Sequence, residues 1–226
     1  APPTGLTEYR SERKDLETLR GIHAGSSREA VLRAYGRPLR LLWDGEKRDF
    51  LLTYEAGDQE ISFTIHKNVV KSLHVSYLSE KKKTETQERH DFLPKGDFSL
   101  AGLSLGQRFK DYSFMEWERK MMNPGEEIWY YEGYGVRMTK KEHWIMAFFL
   151  TDDRMLTPRG LAMGDDQSTA EMLYGAPQKL EMDTSTGSPR TAYVYFSQGQ
   201  KEVLILYFKN KKVDGIVCAG NPQRRK

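Results

Sequence analysis

Apolar residues alternate with polar ones through Phe50, Leu52 and Tyr54, set against Thr53 and Glu55, and again through Ile61, Phe63 and Ile65, set against Ser62, Thr64 and His66. Successive residues of a strand face opposite sides of its sheet, so this period of two predicts neighbouring strands with one apolar and one polar face. Strand composition at 49–54 and at 191–196 is followed in each case by a glycine-bearing turn, at Gly57 and Gly199. Asn68 and Asn210 then suit tight turns, and beyond them Val70 with Leu73 parallels Val213 with Ile216. Residues 135–139 and 144–150 supply further strands.

Ahead of each outer set of strands stands a stretch with helix punctuation. Gly21-Ile22-His23-Ala24-Gly25 leads to Tyr35-Gly36-Arg37-Pro38, and Gly160-Leu161-Ala162-Met163-Gly164 leads to Tyr174-Gly175-Ala176-Pro177 with the same spacing. Ser26 with Glu29 makes a capping-box pattern, Asp165 is placed to cap the later helix, and Gly36 and Gly175 sit where a helix end favours a left-handed residue. Pro38 and Pro177 forbid continuation. A third version lies between them: Gly102-Leu103-Ser104-Leu105-Gly106, a predicted helix over 107–122, then Tyr130-Tyr131-Glu132-Gly133, without the Gly-x-Pro stop.

The fold class this predicts is α+β, in tandem repeats of a short helical segment followed by an antiparallel three-stranded meander, with the helices packed on one face of the sheet. The divisions are a polar segment 1–20 with a short helix using Leu16 and Leu19, a first repeat 21–78, a charged linker or long loop 79–99, a degenerate second repeat 100–156, a third repeat 157–220 and a basic tail 221–226.

Composition removes several function classes. The lone Cys218 forbids an intramolecular disulfide. Thirty-five Lys and Arg against thirty-two Asp and Glu leave a net charge of +3, spread too evenly for a nucleic-acid footprint, and Lys81-Lys82-Lys83 and Arg224-Arg225-Lys226 read as solvated runs. No apolar run reaches the roughly 18 residues that a transmembrane helix needs. The opening Ala1-Pro2-Pro3 suits a chain whose export signal has been removed, and equally a cytosolic chain shortened at its start; of the two, export is taken, so the expected location is extracytoplasmic.

Candidate chemistry is sparse. Gly102-Leu103-Ser104-Leu105-Gly106 matches the G-x-S-x-G nucleophile elbow in form, yet the repeat places Ser104 opposite His23 and Ala162, which makes it part of a turn. A hydrolase reading rests on Ser104 alone. His23, His66, His74, His90 and His143 are dispersed, with no H-E-x-x-H, so neither a metal nor a cofactor is expected. Asp152-Asp153 and Asp165-Asp166 read as capping or loop acids, and Gly133-Tyr134-Gly135 is too short for a phosphate loop. The chain reads as non-enzymatic.

The ordered string Gly-Ile-x-x-Gly, a short helix, Leu-x-x-Tyr-Gly-x-Pro and a strand meander resembles the β-lactamase inhibitor protein and the SmpA/OmlA-type envelope lipoproteins. The resemblance implies a helix-and-sheet unit that acts by binding another protein outside the cytoplasm. Departures are the absent disulfides, the absence of an Asp at the Lys67-Asn68 turn, and the absence of a leading lipid-bearing Cys, which fits if an anchor has been removed.

Comparing the units strand by strand, slots that are polar in the first become Trp129 and Tyr131 in the second and Val194, Phe196, Leu204, Leu206 and Phe208 in the third. Trp144, Met146 and Phe148 alternate with Ile145, Ala147 and Phe149, so that strand is apolar on both sides. A wide apolar face is either covered, by the chain or by self-association, or used. The expected partner-binding residues are therefore Trp129, Tyr131, Trp144, Val194, Phe196, Leu204, Leu206 and Phe208, with another protein as partner. The alternative is a carrier or sensor enclosing a small apolar ligand.

Overall fold

The computed structural model describes residues 8–57, 59–77, 93–109, 119–185 and 187–220. The chain divides into two units, 1–88 and 89–226. In the first, β1 (Glu8–Ser11), α1 (Arg28–Tyr35), β2 (Arg40–Asp44), β3 (Asp49–Ala56), β4 (Gln59–His66) and β5 (Val69–Tyr77) form an antiparallel sheet in the order β1-β5-β4-β3-β2. Register rows Phe50↔Ile65, Leu52↔Phe63 and Tyr54↔Ile61 gather the buried apolar side chains on one face, as the alternation requires. Helix α1 packs there: Val31 and Leu32 are fully buried, and the Tyr35 ring lies 5.2 Å from both Tyr54 and Phe63. The other face is mostly polar, apart from Leu42 and Leu51 at the β2 end. Thr53 and Ser62 share a buried hydroxyl–hydroxyl hydrogen bond of 3.2 Å.

The second unit runs through a 3-10 turn (Lys95–Phe98), β6 (Ser99–Leu100), β7 (Leu103–Ser104), β8 (Arg119–Asn123), β9 (Glu126–Tyr131), β10 (Tyr134–Thr139), β11 (Ile145–Leu150), α2 (Gln167–Tyr174), β12 (Lys179–Asp183), β13 (Arg190–Phe196), β14 (Glu202–Lys209) and β15 (Lys212–Gly220). Eight of its strands make one antiparallel sheet ordered β12-β13-β14-β15-β11-β10-β9-β8. Among the described residues no helix is long and apolar enough to cross a membrane.

The predicted fold class is overturned. The protein is mostly β, with two eight-residue α-helices among the described residues, and large antiparallel sheets replace tandem helix-on-three-strand units. Four strands, not three, follow each helix. Strands from 100–156 and 157–220 share one sheet, joined where β11 pairs with β15 through Phe148↔Cys218. The reason lies in 144–150: a strand apolar on both parities belongs in the interior of a wide sheet, with neighbours on both sides. The helix predicted over 107–122 is not formed at either end. Gln107 and Phe109 bond instead to Ile145 and His143, 119–122 lie in β8, and 110–118 fall outside the described residues. The short helix predicted within 1–20 gives way to β1, paired with β5, and to turns that leave Leu19 fully exposed. Most of the predicted linker, with Lys81 to Lys83, and the tail 221–226 lie outside the described residues.

The likeness between the two helix entries is local and detailed. Thr18 and Thr157 each donate their N–H to residue i+4, Ile22 or Leu161, and each hydroxyl accepts that residue's N–H in return. Gly25 and Gly164 then donate to the last strand of their sheets, to Val70 and Val213, at 2.7 and 2.8 Å. Ser26 and Asp165 do not cap. Their side chains turn back to accept from His23 and Ala162 and close the hook, which hands the N-cap to Ser27 and Asp166. Gly36 and Gly175 stop the helices at φ 76° and 75°, as their position predicts. The turns at Lys67-Asn68 and Asn210-Lys211 have both residues left-handed, which matches the twist of their hairpins.

Candidate protein-binding face

Paired residues of neighbouring strands point to the same side, so the register divides the second unit's side chains into two sets. One set runs Glu127, Trp129 and Tyr131 on β9, Val136 and Tyr134 on β10, Phe148 and Leu150 on β11, Ile216 and Cys218 on β15, Leu204, Leu206 and Phe208 on β14, and Tyr193 and Tyr195 on β13. All are buried. Helix α2 lies on this side: the Tyr193 hydroxyl accepts from Gln167 and donates to Glu171, the Tyr195 hydroxyl donates to the Gly175 carbonyl, and the rings of Tyr174 and Tyr195 are 5.6 Å apart.

The polar tips of this face are answered internally. Trp129 Nε1–H donates to Glu127 at 2.9 Å, and Lys120 reaches the same carboxylate at 2.8 Å while its ammonium sits over the indole. Burial pushes the Glu127 carboxyl up, but the hydrogen bonds from Lys120 and Trp129 outweigh it and hold the group below the usual carboxylate range. Burial drives the Cys218 thiol well above its usual value, which keeps it an unreactive apolar filler.

The opposite set is Tyr130 on β9, Phe149 and Ala147 on β11, Val217 and Ala219 on β15, Val203, Ile205 and Tyr207 on β14, and Val194 and Phe196 on β13. Tyr130, Phe149, Val217, Ile205, Tyr207 and Phe196 are each half-buried. The rings lie down on the sheet. Phe149 covers Gly135, where an added Cβ would come within 2.2 Å of the ring, and stands edge-on to Tyr130 at 5.6 Å. Tyr207 lies beside Gly215 more loosely, an added Cβ coming to 3.1 Å from its ring, and the Arg190 guanidinium stacks over Tyr207 at 3.9 Å. Gly135 thus lets the Phe149 ring lie flat beside Tyr130, while Arg190 covers the Tyr207 ring at the other end of the set.

The expected site residues do not share one surface. Trp129, Tyr131, Leu204, Leu206 and Phe208 lie in the helix-covered core; Val194 and Phe196 lie on the opposite side, with Val194 buried among its neighbours; and Trp144 stands in the turn before β11, 42% exposed, its indole bonded to Glu142. On β14 the cause is a one-residue slip. Aligning Gly57 with Gly199 carries Ser62 onto Leu204, but β4 begins two residues after Gly57 and β14 three after Gly199, so the structural counterpart is Ile205. Because strands have period two, that residue exchanges the faces. Sequence reasoning missed Tyr130, Phe149, Ile205, Tyr207 and Val217, of which this slip accounts for Ile205 and Tyr207. The signal was the run from Val203 to Phe208, apolar at both parities.

Other candidates resolve as structure. Ser104 sits in a two-residue hairpin strand opposite Ser99, not at a strand-to-helix corner. His66 Nδ1 bonds Asp49 at 2.7 Å, and Lys71 reaches the same carboxylate at 3.1 Å. His74 lies opposite Ser62, His23 bonds the Ala24 carbonyl, and His90 is outside the described residues. Among the described residues no three metal-ligating groups cluster.

No protein-family model and no curated protein matches the chain. Among solved structures it is similar to an extracellular protein containing an SCP domain from Bacillus anthracis str. Ames, at 10% identity and a TM-score of 0.38, covering 63% of this chain and 50% of that one. It is also similar to a DUF4309 family protein (YjgB) from Bacillus subtilis, at 11% identity and a TM-score of 0.28, covering 89% and 83%. The chain spans half the length of the first of these.

Proposed function

We propose that the protein is a non-enzymatic protein-binding module acting outside the cytoplasm, and that its second unit binds through the face of Tyr130, Phe149, Val217, Ile205, Tyr207 and Phe196. The observation that carries this reading is that apolar face itself, whose six named side chains on β9, β11, β15, β14 and β13 are only half-buried on the side of the sheet away from α2. Aromatic anchors fixed in place bind with little loss of side-chain freedom, and the Phe149 ring, pressed onto Gly135, is held in this way. The extracytoplasmic setting follows the motif resemblance.

A photo-cross-linking residue placed at Ile205 in cells tests it. The reading requires one dominant protein adduct from Ile205, absent when the same residue is placed at Lys211 in the β14–β15 turn, and lost on adding Val217→Glu. Equal adducts from both positions, or an adduct indifferent to Val217→Glu, overturn it.

A further inference from the structure

Strand β12 ends the eight-stranded sheet, and its outer edge is unpaired by any strand among the described residues. Edge strands expose a row of backbone donors and acceptors, and proteins ordinarily blunt them with charged side chains, prolines or very short length; β12 does carry charges, but Lys179 and Glu181 are of opposite sign and already paired with each other. Here the edge keeps five residues, Lys179-Leu180-Glu181-Met182-Asp183, with Leu180 63% and Met182 62% exposed. Leu180 pairs with Tyr193 and Met182 with Thr191, so both project on the side that carries α2. Lys179 and Glu181 project on the other and form an ion pair along the strand.

This segment is complementary to itself. When two copies lie antiparallel about a two-fold axis at Leu180, Leu180 meets its own counterpart, and Met182 of each copy flanks the other's Leu180 on the diagonal. On the opposite side Lys179 of each faces Glu181 of the other. The two existing in-strand pairs become a ring of four alternating charges, with no like charges opposed. A two-fold contact must be self-complementary in this way, residue i to j and j to i.

We propose that the protein associates with a second copy through β12, edge to edge and antiparallel about Leu180, joining the two eight-stranded sheets into one. This surface is distinct from the apolar face proposed above and does not depend on it.

Sedimentation velocity of the full chain over a range of concentrations tests the proposal. The unaltered protein shows a reversible monomer–dimer equilibrium. Lys179→Glu leaves four acidic groups facing one another and Glu181→Lys leaves four basic ones, so each weakens the dimer about tenfold, since like charges directly opposite on adjacent strands repel and the two-fold repeats the pair. Mixing these two variants restores a dimer, because the acid introduced at position 179 of one chain then faces the base introduced at position 181 of the other; effects confined within one strand are not repaired by mixing. Leu180→Asp abolishes association while far-UV circular dichroism stays unchanged. A monomer at every concentration, a dimer insensitive to the single charge reversals, or a mixture no more associated than its components overturns the proposal.

Discussion

Arg159 grips Asp97 through two parallel hydrogen bonds, Nε to Oδ1 at 2.9 Å and Nη2 to Oδ2 at 2.5 Å, with both side chains almost wholly out of solvent. Its third nitrogen, Nη1, donates to the Leu173 carbonyl at 2.6 Å in the last turn of α2, and its guanidinium lies 4.8 Å over the Tyr174 ring. One side chain thus ties the 3-10 turn, the connection after β11 and the C-terminal end of α2. A cation there also complements the helix dipole.

Removing one partner of a buried pair strands the other charge. Asp97→Ala is expected to destabilise the second unit by about 3–5 kcal/mol in urea unfolding, whereas Asp97→Leu with Arg159→Met, which removes both charges, costs markedly less. Equal losses for the single and double variants would show that the packing matters and the pairing does not.

Gly135 is held free of a side chain by Phe149. Gly135→Ala pushes a methyl group into the ring and is expected to cost about 1–3 kcal/mol by overpacking. In a Phe149→Ala background the same change should be nearly neutral, because the obstacle is gone. A double-mutant cycle by chemical denaturation checks this; additive losses would mean that the ring does not rest on Gly135.

Asp183 carries a pH signature. Hydrogen bonds from Ser185, through its hydroxyl and its N–H, and from Arg190 hold its carboxyl down at about 2. Its folded value lies below the ordinary one, so the stability it contributes is fully present above the ordinary carboxylate range and is lost as pH falls through about 2. Carbon-13 NMR should place its midpoint there, and Ser185→Ala should raise it. A midpoint at the ordinary carboxylate value in the unaltered protein would contradict these contacts.

Punctuation and alternation were legible in the sequence; strand partnership and face were not. Gly36 and Gly175 end their helices, Asn68 and Asn210 turn their hairpins, and Phe50, Leu52, Phe63 and Ile65 form a core face, because each signal is local. The capping residue was misplaced by one in both helices. Ser26 and Asp165 carry good capping side chains, but a hook closed through Thr18 and Thr157 turns them the other way. Joining β11 to β15 is a long-range pairing that no local pattern encodes. The same holds for the candidate surface: a single extra residue after Gly199 moved Leu204, Leu206 and Phe208 into the core and brought Ile205 and Tyr207 to the opposite side.

Neighbours in sequence on opposite faces give the most direct test of the proposed binding surface. Ile205→Glu and Leu206→Glu place the same charge one residue apart, and urea unfolding is measured for both alongside capture of the partner found from Ile205, with the photo-cross-linking residue now moved to position 149. Ile205→Glu should remain folded with stability within about 1 kcal/mol of the unaltered protein and lose the partner, whereas Leu206→Glu, burying an unpaired charge under α2, should unfold the second unit. If Ile205→Glu keeps the partner, or if it unfolds the unit as fully as Leu206→Glu does, the face away from α2 is not the binding surface.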